Sequence, residues 1–118
     1  MRRFAPLIDL LVVLVFAAVG RSSHQHGVSV TGVVSTTWPF AAGLAAGWVF
    51  LVRRHRTGLG MRDGVIVCLW TVAVGMVLRI FFGQGTAVAF ILVAIGFLGA
   101  LMFAWRATVW FVQRQRAE

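Results

Sequence analysis

The chain has 118 residues, of which 60% are hydrophobic, and a mean hydropathy of +0.92. A water-soluble domain of this size exposes too much surface to hide that apolar content, so the bilayer is the expected solvent. Its 11 basic residues, all arginine, stand against 3 acidic ones, mostly at the ends of apolar runs, where they read as topology signals and lipid-phosphate contacts rather than as a nucleic-acid interface.

Only helices or a closed barrel satisfy their backbone inside lipid. A barrel needs alternating strands of about ten residues. The continuous runs here, rich in Ala, Leu, Val and Gly, predict helices instead. The single Cys68 has no intrachain partner, which excludes an intrachain disulfide and a CxxC redox pair.

The first span is expected over 4–21. Arg2, Arg3 and the apolar run to Gly20 imitate a signal peptide, but Asp9 inside that run argues against one. The connection from Gly20 to Thr37 opens on Arg21, Ser22, Ser23, His24, Gln25 and His26. Its remainder reads as a loop, a short hairpin or an early start to the next helix, and the residues do not choose among them.

The second span is expected over 36–53, with Ser35, Thr36 or Thr37 as N-cap and Pro39 in the first turn. Ala42, Gly43, Ala46 and Gly47 form a small-residue face suited to close helix packing in lipid. Arg53 to Arg62 is a basic connector punctuated by Gly58 and Gly60. Asp63 is read as the cap of the third span, 63–83, whose Gly64, Cys68, Thr71, Gly75 and Arg79 recur on one face.

The fourth span is expected over 86–106. Ala89, Val93, Gly96, Ala100 and Ala104 give it a small-residue stripe, and residues 107–118 read as a polar helical tail. Gly43, Gly47, Gly75, Gly96 and Ala100 are thus the expected packing positions, within one chain and between copies in a homo-oligomer. Trp38, Trp105 and Trp110 are assigned to the interfaces, and Trp48 and Trp70 to deeper packing.

Arg2, Arg3, Arg53, Arg54, Arg56, Arg62, Arg106, Arg114 and Arg116 gather on one side of this topology, with Arg21 and Arg79 towards the other. The asymmetry predicts an all-α, four-helix integral protein of the cell membrane, a single domain with both termini cytoplasmic.

Arg79 lies roughly 24 Å from the cytoplasmic end of its span. Either it snorkels to lipid phosphate, or it forms an outer pocket for a small anion with Arg21, Ser23, His24 and Gln84. Asp9 lies near the inner end of the first span, where Arg106, Arg53 and Arg62 share its level. A structural ion pair with Arg106 is the main expectation, and a proton or cation relay the alternative. His24 and His26 share one loop and His55 lies on the opposite side, so neither metal nor haem is expected, and no cofactor. No HExxH, GxSxG or Walker sequence appears, which argues against an enzyme.

Asp9, Gly20-Arg21-x-Ser23-His24, Thr37-Trp38-Pro39-Phe40, Gly75-x-x-x-Arg79, Gly85-Thr86-Ala87 and Trp105-Arg106 occur in this order. In them the chain resembles the small prokaryotic membrane proteins grouped as domain of unknown function family 3054. The resemblance implies a four-helix membrane protein without an activity to carry over. It also implies that Asp9, Arg21, His24, Pro39, Arg79 and Arg106 belong to one shared design. Two function classes follow: a carrier or binder of a small anionic solute at the outer pocket, or a structural or assembly subunit of a larger membrane complex.

Overall fold

A computed structural model describes residues 4–23, 30–83 and 88–117. They form four helices, α1 (Ala5–Ser23), α2 (Val30–Arg53), α3 (Met61–Phe81) and α4 (Val88–Ala117). Each helix packs on two neighbours: α2 lies between α1 and α3, and α4 closes the square between α3 and α1. Phe16 of α1 reaches the middle, its ring centroid 5.4 Å from that of Phe40 on α2 and 5.7 Å from that of Phe97 on α4.

Segments Val30–Arg53, Met61–Phe81 and Ile91–Gln115 are long and apolar enough to cross a membrane, while α1 carries a shorter apolar stretch, Ala5–Gly20. The large apolar side chains point outwards to an extent that water would punish. Leu7, Leu11, Val15 and Val19 form an exposed ridge along α1, and Val65, Leu69, Val77 and Ile80 one along α3. The polar groups Asp9, Thr37, Thr71 and Arg106 lie inside.

Several local expectations need correction. Helix α2 starts at Val30, so Ser35, Thr36 and Thr37 are interior residues rather than caps, and Pro39 sits well inside the helix. There Pro39 lacks the amide that would bond the Ser35 carbonyl. Cap-forming Ser/Thr and Pro are an N-terminal signal in water, but a packed or lipid-facing helix tolerates them in its interior. Helix α3 is capped by Gly60, with no side-chain cap, and Asp63 occupies its first turn instead. A carboxylate there still complements the helix dipole. Helix α4 runs on unbroken through the expected tail.

Helices α2 and α3 make the closest approach. A Cβ on Gly43 would lie 2.7 Å from the Thr71 carbonyl oxygen and 2.9 Å from the Thr71 Cα, and one on Gly47 3.0 Å from the Trp70 Cβ. Reciprocally, the Phe40 ring fills the notch at Gly75, where a Cβ would meet Cδ1 at 2.6 Å. The described part of the stripe read on α4, Val93, Gly96, Ala100 and Ala104, is exposed, and nothing lies within 4 Å of a Cβ built on Gly96. The inward face of α4 is instead Ala94, Leu98, Met102 and Arg106. Trp70 lies midway along α3 and is 37% exposed, and its ring lies 5.7 Å from that of Phe50.

The end of α2 closes in a Schellman motif: the His55 amide donates to the Val52 carbonyl (3.0 Å) and the Arg56 amide to the Leu51 carbonyl (3.0 Å). The motif needs a left-handed residue, and His55 supplies it at φ 59° where glycine is usual. An L side chain in that region costs about 1–2 kcal/mol, part of which glycine returns through its freer unfolded chain. His55→Gly is therefore expected to stabilise the protein by about 0.5–1 kcal/mol, read as a raised midpoint in denaturant titration of the detergent-solubilised chain.

Candidate functional site

The buried charged groups Asp9, Asp63 and Arg106 converge at the end where α1 begins, α2 ends and α3 begins. Asp9 of α1 and Arg106 of α4 are both fully buried, and the structure brings them together: Nη2 donates to Oδ2 at 2.8 Å and Nη1 to Oδ1 at 3.1 Å. This two-pronged arrangement matches the planar guanidinium fork to the carboxylate. Two indoles complete the shell. Trp48 Nε1 of α2 donates to Oδ2 and Trp105 Nε1 of α4 to Oδ1, each at 2.9 Å. A carboxylate offers about four acceptor positions, and here the chain's own donors occupy four.

Arg106 is satisfied as thoroughly. Its Nε donates to the Gly58 carbonyl at 2.8 Å and Nη1 also to the Met102 carbonyl at 3.3 Å. Its guanidinium carbon lies 4.4 Å from the centroid of the Trp105 ring. The side chain can cross α3 because Gly64 is there, where a Cβ would meet the Arg106 Cδ at 2.9 Å. Gly64 thus admits a cation rather than a neighbouring backbone.

Gly58 joins this cluster to a second one. Its amide donates to Asp63 Oδ2 at 3.0 Å, while Asp63 Oδ1 accepts from Arg56 Nε. Its backbone is left-handed at φ 80°, and a Cβ would collide with the Trp48 ring. The α2–α3 connector is therefore seated on Trp48, held at the single residue Gly58 by Asp63 through the amide and by Arg106 through the carbonyl. Every helix contributes a residue: Asp9, Trp48, Asp63 with Gly64, and Arg106 with Trp105.

Sequence reasoning missed the two indoles and Gly58. Trp105 is half-buried and donates to Asp9, a bond that its assignment to the interface does not include. Trp48 was read as packing alone. The available signal was that a buried indole N–H must find an acceptor, and Asp9 is the side-chain acceptor at that depth.

The expected outer pocket is described only in part. Arg79 is half-buried in the last turn of α3. Arg21 and Ser23 belong to the last turn of α1. His24 and Gln84 lie outside the described residues. Because Phe40 faces Gly75, the turn of α2 before Phe40 stands level with Arg79, and there the buried Thr37 Oγ1 has no hydrogen-bond partner among the described residues. Among the described residues, no group of three or more His, Cys, Asp or Glu side chains is placed to hold a metal ion.

A family model described as "Protein of unknown function (DUF3054)" matches residues 6–109. No curated protein and no solved structure matches the chain. The matched range runs from the start of α1 through most of α4 and contains both Asp9 and Arg106, and the chain belongs to this family of proteins of unknown function, DUF3054.

Proposed function

We propose that this is an integral membrane protein with four crossing helices, the Arg53–Arg62 connector and both chain ends on the cytoplasmic side. We further propose that its role is structural: a rigid bundle serving as a subunit of a membrane assembly. The observation that carries the structural reading is the saturation of the Asp9 carboxylate by Arg106, Trp48 and Trp105. A relay carboxylate needs a vacant position for a proton or cation, whereas a register device needs every position filled. The membrane reading is supported by apolar ridges outside and ionic groups inside, and the orientation by the arginines around the α2–α3 connector.

A second reading, an anion bound at the far end by Arg79, is favoured by the buried hydroxyl of Thr37, unpartnered among the described residues. One experiment separates the two. The purified protein in detergent is screened by thermal shift against sulfate, phosphate and small carboxylates. The structural reading expects no anion-dependent shift. A saturable stabilisation that disappears in Arg79→Gln would overturn it and establish the anion site. Reporter fusions that place Arg56 outside the cytoplasm would reverse the orientation.

A further inference from the structure

The arginines of the α2–α3 connector divide into two groups. Arg56 is consumed by Asp63. Arg53, Arg54 and Arg62 are exposed, as is His55, and none of them has a carboxylate partner among the described residues. The chain has three acidic residues. Asp9 and Asp63 are committed to Arg106 and Arg56, and Glu118 lies outside the described residues. Among the described residues, positive charge at this end is therefore left uncompensated.

The platform that carries it is fixed. The Schellman turn ends α2, Gly58 is held between Asp63 and Arg106, and the Trp48 ring lies beneath. The guanidinium groups also stand at a defined depth. Val49 and Val52, 55% and 62% exposed, lie next to Arg53 on the apolar exterior. The Arg54 guanidinium carbon lies 5.3 Å from the centroid of the Phe50 ring, and that of Arg114 on α4 lies 5.2 Å from the centroid of the Trp110 ring. Cations over aromatic rings, immediately beyond an apolar band, are placed at the level of lipid phosphates.

We propose that this end of the bundle is a binding site for anionic phospholipid headgroups, with Arg53, Arg54 and Arg62 as the recognition residues. The ligand chemistry is a phosphodiester with net negative charge. Arginine's planar donors suit its oxygens, and a zwitterionic headgroup, whose ammonium faces the same cations, suits them less. The proposal rests on the membrane reading above and names a partner for one face of the bundle.

The test uses the full chain in nanodiscs of phosphatidylcholine alone and of phosphatidylcholine mixed with phosphatidylglycerol, with thermal unfolding and displacement of a fluorescent phosphatidylglycerol as readouts. The expected result is stabilisation by phosphatidylglycerol. In the Arg53→Gln/Arg54→Gln/Arg62→Gln variant the preference for that lipid falls by roughly tenfold or more. The corresponding triple lysine variant keeps part of it, which distinguishes lost recognition from lost folding. Equal behaviour of the wild-type chain in the two lipids overturns the proposal. Equal stabilisation by free inorganic phosphate replaces the lipid with a soluble phosphate and also overturns it. Failure to co-elute with pure phosphatidylcholine discs is a separate outcome, which removes the membrane reading and the headgroup site with it.

Discussion

Asp9→Ala and Arg106→Ala are each expected to cost about 3–5 kcal/mol of stability, the loss typical when one member of a buried ion pair is removed. Each deletion strands the partner charge where neither water nor another counter-ion reaches it, since both side chains are fully buried. Deleting Asp9 also orphans the indole N–H groups of Trp48 and Trp105, and deleting Arg106 orphans the Gly58 carbonyl. The double variant Asp9→Ala/Arg106→Ala removes both charges at once. It is expected to be more stable than the sum of the single losses by about 2–3 kcal/mol. It should not reach the wild-type value, because the orphaned indoles and carbonyl remain, at about 1–3 kcal/mol each. Denaturant titration in mixed micelles, followed by tryptophan fluorescence, measures all four proteins. Strict additivity of the single losses would show that the two side chains do not depend on one another.

The second large effect is expected at Gly43. A methyl group there meets the Thr71 carbonyl oxygen at 2.7 Å and the Trp70 carbonyl oxygen at 2.9 Å. These are backbone atoms, which cannot swing aside, so α2 and α3 must separate along their shared face. Gly43→Ala is expected to destabilise by about 1–3 kcal/mol. Gly96→Ala is the matched control. Its Cβ meets nothing within 4 Å, so alanine adds helix propensity of up to about 1 kcal/mol without a clash. The same denaturant titration should therefore move in opposite directions for two glycine-to-alanine changes. A loss at Gly96 equal to that at Gly43 would mean that the α4 face is packed against something after all.

The contrast between these glycines marks where sequence reasoning stops. The length of apolar runs is a one-dimensional property, so the long helices and the connector between α2 and α3 were legible directly. Depth is nearly one-dimensional as well, since each helical residue advances about 1.5 Å. Counting therefore brought Asp9, Arg106, Arg53 and Arg62 to one level without choosing geometrically among them. Which side of a helix faces a neighbour is a different matter. Gly43, Gly75 and Gly96 carry the same sequence signal, yet Gly43 has the α3 backbone against it, Gly75 the Phe40 ring and Gly96 nothing. Gly64 shares a helix face with Gly75, but its small size makes room for the side chain of Arg106. The early start of α2, one of three alternatives for the stretch before it, is not singled out in the sequence because Ser35, Thr36, Thr37 and Pro39 are ambiguous locally. The same residues that cap a helix in water can lie within one that is held by its neighbours. The roles of Trp48 and Trp105 required knowing which acceptor the indoles reach, which is a three-dimensional fact.

The ion pair at the heart of the bundle joins residues 97 positions apart. At synthesis rates of about 5–20 residues per second, Asp9 is made roughly 5–20 s before its counter-ion exists. On the membrane reading proposed above, the first helix carries an unpaired carboxylate during that interval, which is costly in hydrocarbon. Arrival of Arg106 ends the wait and seats the connector through Gly58 in the same step. A product truncated before residue 106 is therefore expected to retain an unmatched buried acid at Asp9.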